Sequence, residues 1–117
     1  MKITNLTPKF IENIPREIDD GILYVSMEFN IAIHNCCCGC QNKVVTPLSP
    51  TGWRLYFDGT ITLSPSIGNW AFPCRSHYFI IDNKIKPARS WTNAEVEKKR
   101  KSDSTEIKKY YKRKNNK

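Results

Sequence analysis

Four of five consecutive residues in this chain are cysteine: Cys36-Cys37-Cys38-Gly39-Cys40. A fifth, Cys74, stands alone further on. The odd number argues against a complete set of disulfides. Cys36, Cys38 and Cys40 alternate, so an extended backbone puts them on one face, and Gly39 lets the chain turn so that several sulfurs converge. Zinc takes four ligands, most often thiolate sulfur or imidazole nitrogen. The expectation is one structural zinc held by Cys36, Cys38, Cys40 and Cys74. Cys37 is the odd one out, its side chain pointing away from its neighbours. His34 and His77 flank the two cysteine sites and stand as alternative ligands.

The chain has 117 residues, enough for one modest core, and a metal staple is a real gain at that size. The N-terminus lacks a secretion-type apolar run, and no stretch approaches the roughly 20 apolar residues of a membrane span. That predicts a cytoplasmic, reducing setting without membrane partners, where clustered thiols are better metal ligands than disulfides.

The pattern before the cluster is β. Leu23, Val25, Met27 and Phe29 alternate with Tyr24, Ser26, Glu28 and Asn30, which predicts one strand from Ile22 to Ile33. Val44-Val45 reads as a short return strand. Trp53–Phe57 and Thr60–Leu63 flank Asp58-Gly59, a two-residue hairpin signal. Ser64–Trp70 reads as an irregular loop, and Tyr78–Ile81 as a strand closed by Asp82-Asn83. Phe10, Ile11 and Ile14 suggest a short helical turn among the breakers Pro8 and Pro15. The fold expected is mainly β, an antiparallel zinc-stapled domain over residues 1–91.

Residues 92–117 differ in kind. Thr92-Asn93-Ala94-Glu95 matches a helix capping box, predicting a helix near 92–101 followed by a disordered end. Residues 95–117 hold ten Lys or Arg and four Asp or Glu, so +6 of the net charge of +8 lies in this tail. A basic tail offers contact with nucleic acid or an acidic surface, or simply a solvated extension. The rest of the chain is close to neutral.

Serine chemistry is a further option. Ser66 lies in Pro65-Ser66-Ile67-Gly68-Asn69-Trp70, and an imidazole within reach of a serine activates it as a nucleophile. His77 or His34 could supply that base, with Asp58 orienting it. Backbone amides around Gly68, with the Asn69 side chain, could hold an oxyanion. Loop serines are more commonly turn formers, and a histidine beside cysteines is more commonly a ligand or its supporting donor.

Five ordered motifs bear on the choice: Gly21-Ile22-Leu23-Tyr24-Val25-Ser26, His34-Asn35-Cys36-Cys37-Cys38-Gly39-Cys40, Thr46-Pro47-Leu48-Ser49-Pro50, Pro65–Trp70 and Cys74-Arg75-Ser76-His77-Tyr78. Together, over residues 1–95, they resemble the bacterial and phage family called domain of unknown function 6527. The departures are Cys37, where a small residue is typical, and Gln41, where glycine is common. The resemblance implies a zinc-containing peptidase with serine chemistry that processes a ubiquitin-like protein. It carries onto Ser66 and His77, and onto His34. Two other classes stay open: a zinc-binding module whose tail contacts nucleic acid, and a zinc metallohydrolase with His34 or His77 as ligand.

Overall fold

A computed structural model describes residues 1–115. Eight strands form two four-stranded sheets, and one helix follows. The first sheet runs in the order β1 (Thr7–Phe10), β2 (Ile22–Ser26), β3 (Ile31–Asn35), β4 (Lys43–Pro47). The second runs β5 (Arg54–Phe57), β6 (Ile61–Gly68), β7 (His77–Ile81), β8 (Lys84–Pro87). Helix α1 spans Asn93–Asn115. All pairings between these strands are antiparallel except β1 with β2. Among the described residues no helix is long and apolar enough to cross a membrane.

The two sheets share one core. Leu23, Val25, Ala32 and Val44 come from the first, and Ile61, Leu63, Ile67, Tyr78, Ile80 and Ile85 from the second. Residues 4–6 stitch the sheets together: the Leu6 amide donates to the Asn83 carbonyl and the Ile85 amide to the Thr4 carbonyl. Fully burying an aliphatic side chain such as Leu6 or Leu63 contributes about 1.5–3 kcal/mol.

The mainly β architecture matches the sequence pattern, but four elements differ from it. The apolar alternation of residues 22–33 is a hairpin, not one strand. The chain turns at Met27–Asn30, with Asn30 at φ +53°, a conformation asparagine tolerates. Met27 and Phe29 are therefore exposed rather than buried. Residues 7–10 are strand β1, not a helical turn. It lies parallel to β2, which demands a crossover, and residues 11–21 supply it. The Ser64–Gly68 segment is strand, with a bulge in place of the expected loop. The capping box forms as read, but α1 continues well past residue 101. Residues 116–117 of the tail expected to be disordered lie outside the described residues.

The crossover does a second job. The Tyr24 hydroxyl accepts from the Asp19 amide at 2.9 Å, and the Asn35 side chain donates to the Ile18 carbonyl and to Asp20. Residues 11–20 thus cover the outer face of β2 and β3, and Tyr24 is buried there.

Candidate functional site

Strand β3 ends at Asn35, and Cys36 to Cys40 turn back toward β4. The Gly39 amide donates to the Cys36 carbonyl, and Gly39 sits at φ +92°, which a side chain would strain. The turn gathers the sulfurs of Cys36, Cys38 and Cys40 beside Cys74, which precedes β7. All four lie within 4.8 Å of one another. Cys36 is 3.5 Å from Cys38 and 3.9 Å from Cys74, and Cys40 is 3.7 Å from Cys74. No disulfide joins them, and the four could hold a metal ion. Cys37 is fully buried in the core outside this group.

Polar partners surround the sulfurs. The Ser76 hydroxyl lies 3.1 Å from Cys36 and 3.4 Å from Cys74. Asn69 donates to Ser76 at 2.9 Å and toward Cys36 at 3.7 Å. The acidities of Cys36, Cys38 and Cys40 diverge with burial and hydrogen bonding. Burial pushes Cys38 up to about 12 and raises Cys36 as well. Cys40 falls to about 6: its slight burial opposes ionisation, but the backbone and side-chain amides of Asn42 donating to its sulfur outweigh that.

The second constellation lies one residue along the chain and across the sheet. Between the pairs Leu63 with Ile80 and Ile67 with Tyr78, β6 carries two more residues than β7. The resulting bulge swings Ser66 to His77, whose Nε2 lies 2.8 Å from Ser66 Oγ. His77 Nδ1 lies 2.6 Å from the Arg89 carbonyl. A carbonyl can only accept, so Nδ1 carries the proton and Nε2 presents its lone pair to the Ser66 hydroxyl. The ring packs against a stacked pair of indoles, Trp70 at 5.1 Å and Trp91 at 5.2 Å.

Not every residue singled out in the sequence joins this group. Asp58 does not reach His77: it accepts from Thr60 in its own turn, and the Arg89 carbonyl is the partner of His77 Nδ1. His34 is fully buried, with Nε2 2.7 Å from the Tyr78 hydroxyl, and burial lowers its pKa to about 4, leaving it neutral near pH 7. Its hydrogen-bond partner is thus Tyr78 rather than Ser66. Asn69 faces the cysteine side: its backbone amide donates to the Ser76 carbonyl and its side chain to Ser76. Residues that sequence reasoning passed over include Trp70, Trp91, Ser76 and Tyr78. Only strand alternation could have flagged Ser76 and Tyr78 as facing the cysteines when His77 faces away.

Ser66 and His77 open into a cleft of about 640 Å³. Trp53, Trp70 and Phe72 line one side. Val96, Lys99, Arg100, Asp103, Ile107 and Tyr111 of α1 line the other, a spacing of one helix face. Only Val96 of these is buried, anchoring the helix start. The capping box holds that start: the Thr92 amide donates to Glu95 at 3.0 Å and the Glu95 amide to Thr92 at 3.2 Å.

A family model described as "Bacterial ubiquitination-like system serine protease (BubE)" matches residues 10–88, a span that contains all four clustered cysteines, Ser66 and His77. No curated protein and no solved structure matches the chain.

Proposed function

Because this chain belongs to the BubE family of bacterial ubiquitination-like system serine proteases, we propose that it cleaves a ubiquitin-like protein at or near its C-terminus, with Ser66 as nucleophile and His77 as general base. The observation that carries this is the 2.8 Å contact between Ser66 Oγ and the proton-free Nε2 of His77. As Oγ bonds to the scissile carbonyl carbon, its proton passes to Nε2. The imidazolium then returns that proton to the departing amine as the C–N bond breaks. Water repeats the sequence on the acyl-enzyme, giving up a proton to Nε2 and releasing the carboxylic acid and free Ser66. The Arg89 carbonyl holds the ring in the required tautomer, a task a carboxylate performs in the familiar triad. Oxyanion stabilisation falls to backbone amides of the bulged Ser66–Gly68 segment, since the donors of Asn69 are engaged at the cysteines.

The metal in this proposal is zinc, bound by Cys36, Cys38, Cys40 and Cys74. Tetrahedral bonds of about 2.3 Å set sulfurs roughly 3.8 Å apart. The contacts of 3.5, 3.9 and 3.7 Å suit that geometry. Four thiolates leave no open position for substrate, so the metalloenzyme alternative has no vacancy to work with. Asn69 and Ser76 supply the donors that thiolates accept. Alternation along the strand turns Ser76 to the cysteines and His77 to the cleft. The metal therefore positions His77 from behind.

The test is Ser66→Ala, assayed on the ubiquitin-like protein encoded with the conjugation system. Cleavage should fall by about 10³-fold or more, as loss of a nucleophile does. Melting temperature and metal content should stay near wild type, because the hydroxyl is partly exposed. Undiminished cleavage by Ser66→Ala overturns the assignment.

A further inference from the structure

The two outer sheet faces are treated differently. Residues 11–20 cover the outer face of β2 and β3, whereas the outer face of the second sheet lies open beyond His77. Alternation puts His77, Phe79 and Ile81 on that face of β7, opposite the buried Tyr78 and Ile80. The register extends the surface sideways. Lys84 stands beside Ile81, Lys86 beside Phe79, and Thr62 beside Tyr56, with Arg54 two residues along β5. Tyr56 is 54% exposed, Phe79 41% and Ile81 40%, high values for side chains of this kind. Arg54, Lys84 and Lys86 frame them, all exposed, and none is in an ion pair among the described residues. No strand position of this face is acidic. The two nearby aspartates, Asp58 and Asp82, lie in the turns at its far end.

We propose that this face docks the folded body of the protein substrate, one that presents an apolar patch ringed by carboxylates, and so directs its chain end to Ser66. The inference rests on the peptidase function proposed above. Continuity argues for it: the Phe79 ring lies 6.2 Å from the His77 ring on the same strand face. Ile81 lies about 13 Å from His77 at the rise of an extended strand, a span suited to a small folded partner. Charge argues for it too, since three unpaired cations around an apolar centre favour an acidic rim and speed encounter with it. The cleft beside α1 takes the extended chain end, and the sheet face takes the globular part.

The experiment measures binding of fluorescently labelled, co-encoded ubiquitin-like protein to the Ser66→Ala chain by anisotropy. Adding Ile81→Asp, or Lys84→Glu with Lys86→Glu, should weaken binding about tenfold or more, with Tyr56→Ser as a second apolar probe. All are exposed positions, and unchanged melting temperatures confirm intact folds. Binding should weaken as salt rises. In the Ser66 background, the same changes should raise KM for the protein and leave kcat unchanged. Cleavage of a short peptide copying only its chain end should not change. Affinity within twofold of the parent in every variant, no binding by the parent, or equal losses on protein and peptide would each overturn the proposal. So would a single-stranded oligonucleotide whose binding alone responds to these variants, since cations interleaved with aromatics also suit that ligand. Persistent cleavage by Ser66→Ala would instead overturn the nucleophile assignment and leave the binding result standing.

Discussion

The cysteine cluster and the Ser66–His77 pair are neighbours built on opposite principles. Three of the four clustered sulfurs come from five consecutive residues, so a single turn around Gly39 assembles most of that site. The pair comes from two strands, and it forms only because β6 carries extra residues against β7. Both draw on the segment Cys74–Tyr78, one face of which serves each. A local cluster can hold a metal with little help from the fold. A serine–histidine contact of 2.8 Å across two strands needs the fold to be finished first. The dependence therefore runs one way: damage at the cysteines should reach the serine, and damage at the serine should stop there.

The largest effect should follow from removing the proposed zinc. Structural zinc sites contribute about 10–16 kcal/mol of apparent binding free energy, as much as the whole stability of a small domain, about 5–15 kcal/mol. Cys74→Ser, or a strong chelator acting on the native chain, should abolish the cooperative melt and cleavage together. Cys37→Ala sharpens the contrast. Its sulfur lies in the core outside the cluster, so one metal equivalent should remain, with a loss of about 1–2 kcal/mol for the cavity. Elemental analysis beside thermal melts reads both outcomes. A Cys74→Ser chain that melts normally without metal would break the one-way dependence.

A middle-sized effect should come from Gly68. A side-chain carbon there would run into the Trp70 indole, which packs on His77. Gly68→Ala should displace Trp70 and with it the imidazole. A shift of about 1 Å at a reacting group can cost about 10²-fold in rate. Metal content should not change, because Gly68 contributes nothing to the sulfurs. Metal loss in this variant would show that the two sites share more than a strand.

The same contrast sets how far the chain could be read unaided. The cysteine group was legible because its ligands are crowded and chemically singular. Hairpins at Asp58-Gly59 and Asp82-Asn83, and the capping box at Thr92, were legible because each is a local signal, although the first turn takes three residues, 58–60, instead of two. The turn at Met27–Asn30 was hidden, since Met27 and Phe29 continue an apolar alternation that solvent exposure actually ends. The bulge at Ser64–Ser66 was hidden for a different reason: register between two strands is set by packing of Leu63, Ile67, Tyr78 and Ile80, which no short window contains. Ser66 and His77 could thus be named as a pair, but the partner of Nδ1 could not. Asp58, an acidic residue at a chemically sensible position, sits in a turn, and a main-chain carbonyl takes the role. Helix α1 outruns its sequence signal because its exposed, charged sequence has no core-facing stripe, yet intrahelical pairs such as Lys99 with Asp103 and a strong cap support it.

The smallest effect should arise at Glu95, the outermost support of that carbonyl. The Arg89 side chain reaches Glu95 at 2.7 Å, and the Arg89 carbonyl orients His77. Glu95 also closes the capping box of α1, the far wall of the cleft. The hydrogen bond from Arg89 holds the Glu95 carboxyl down at about 2, against an ordinary 4.5. A depressed carboxylate stabilises the native state above its unfolded pKa, and that contribution is lost as pH falls from 4.5 toward 2. The pair is substantially exposed, so water and salt screen it and the contribution is small. Glu95→Gln at neutral pH imitates the protonated acid. It should lower helical circular dichroism slightly and cleavage modestly, well short of the Gly68→Ala loss, with metal content intact. The helical difference between wild type and Glu95→Gln should shrink as salt rises, and shrink again as pH drops through the window below 4.5. A difference that persists through both titrations would assign the effect to lost capping geometry instead of charge, and would separate the helix wall from the electrostatics that hold Arg89.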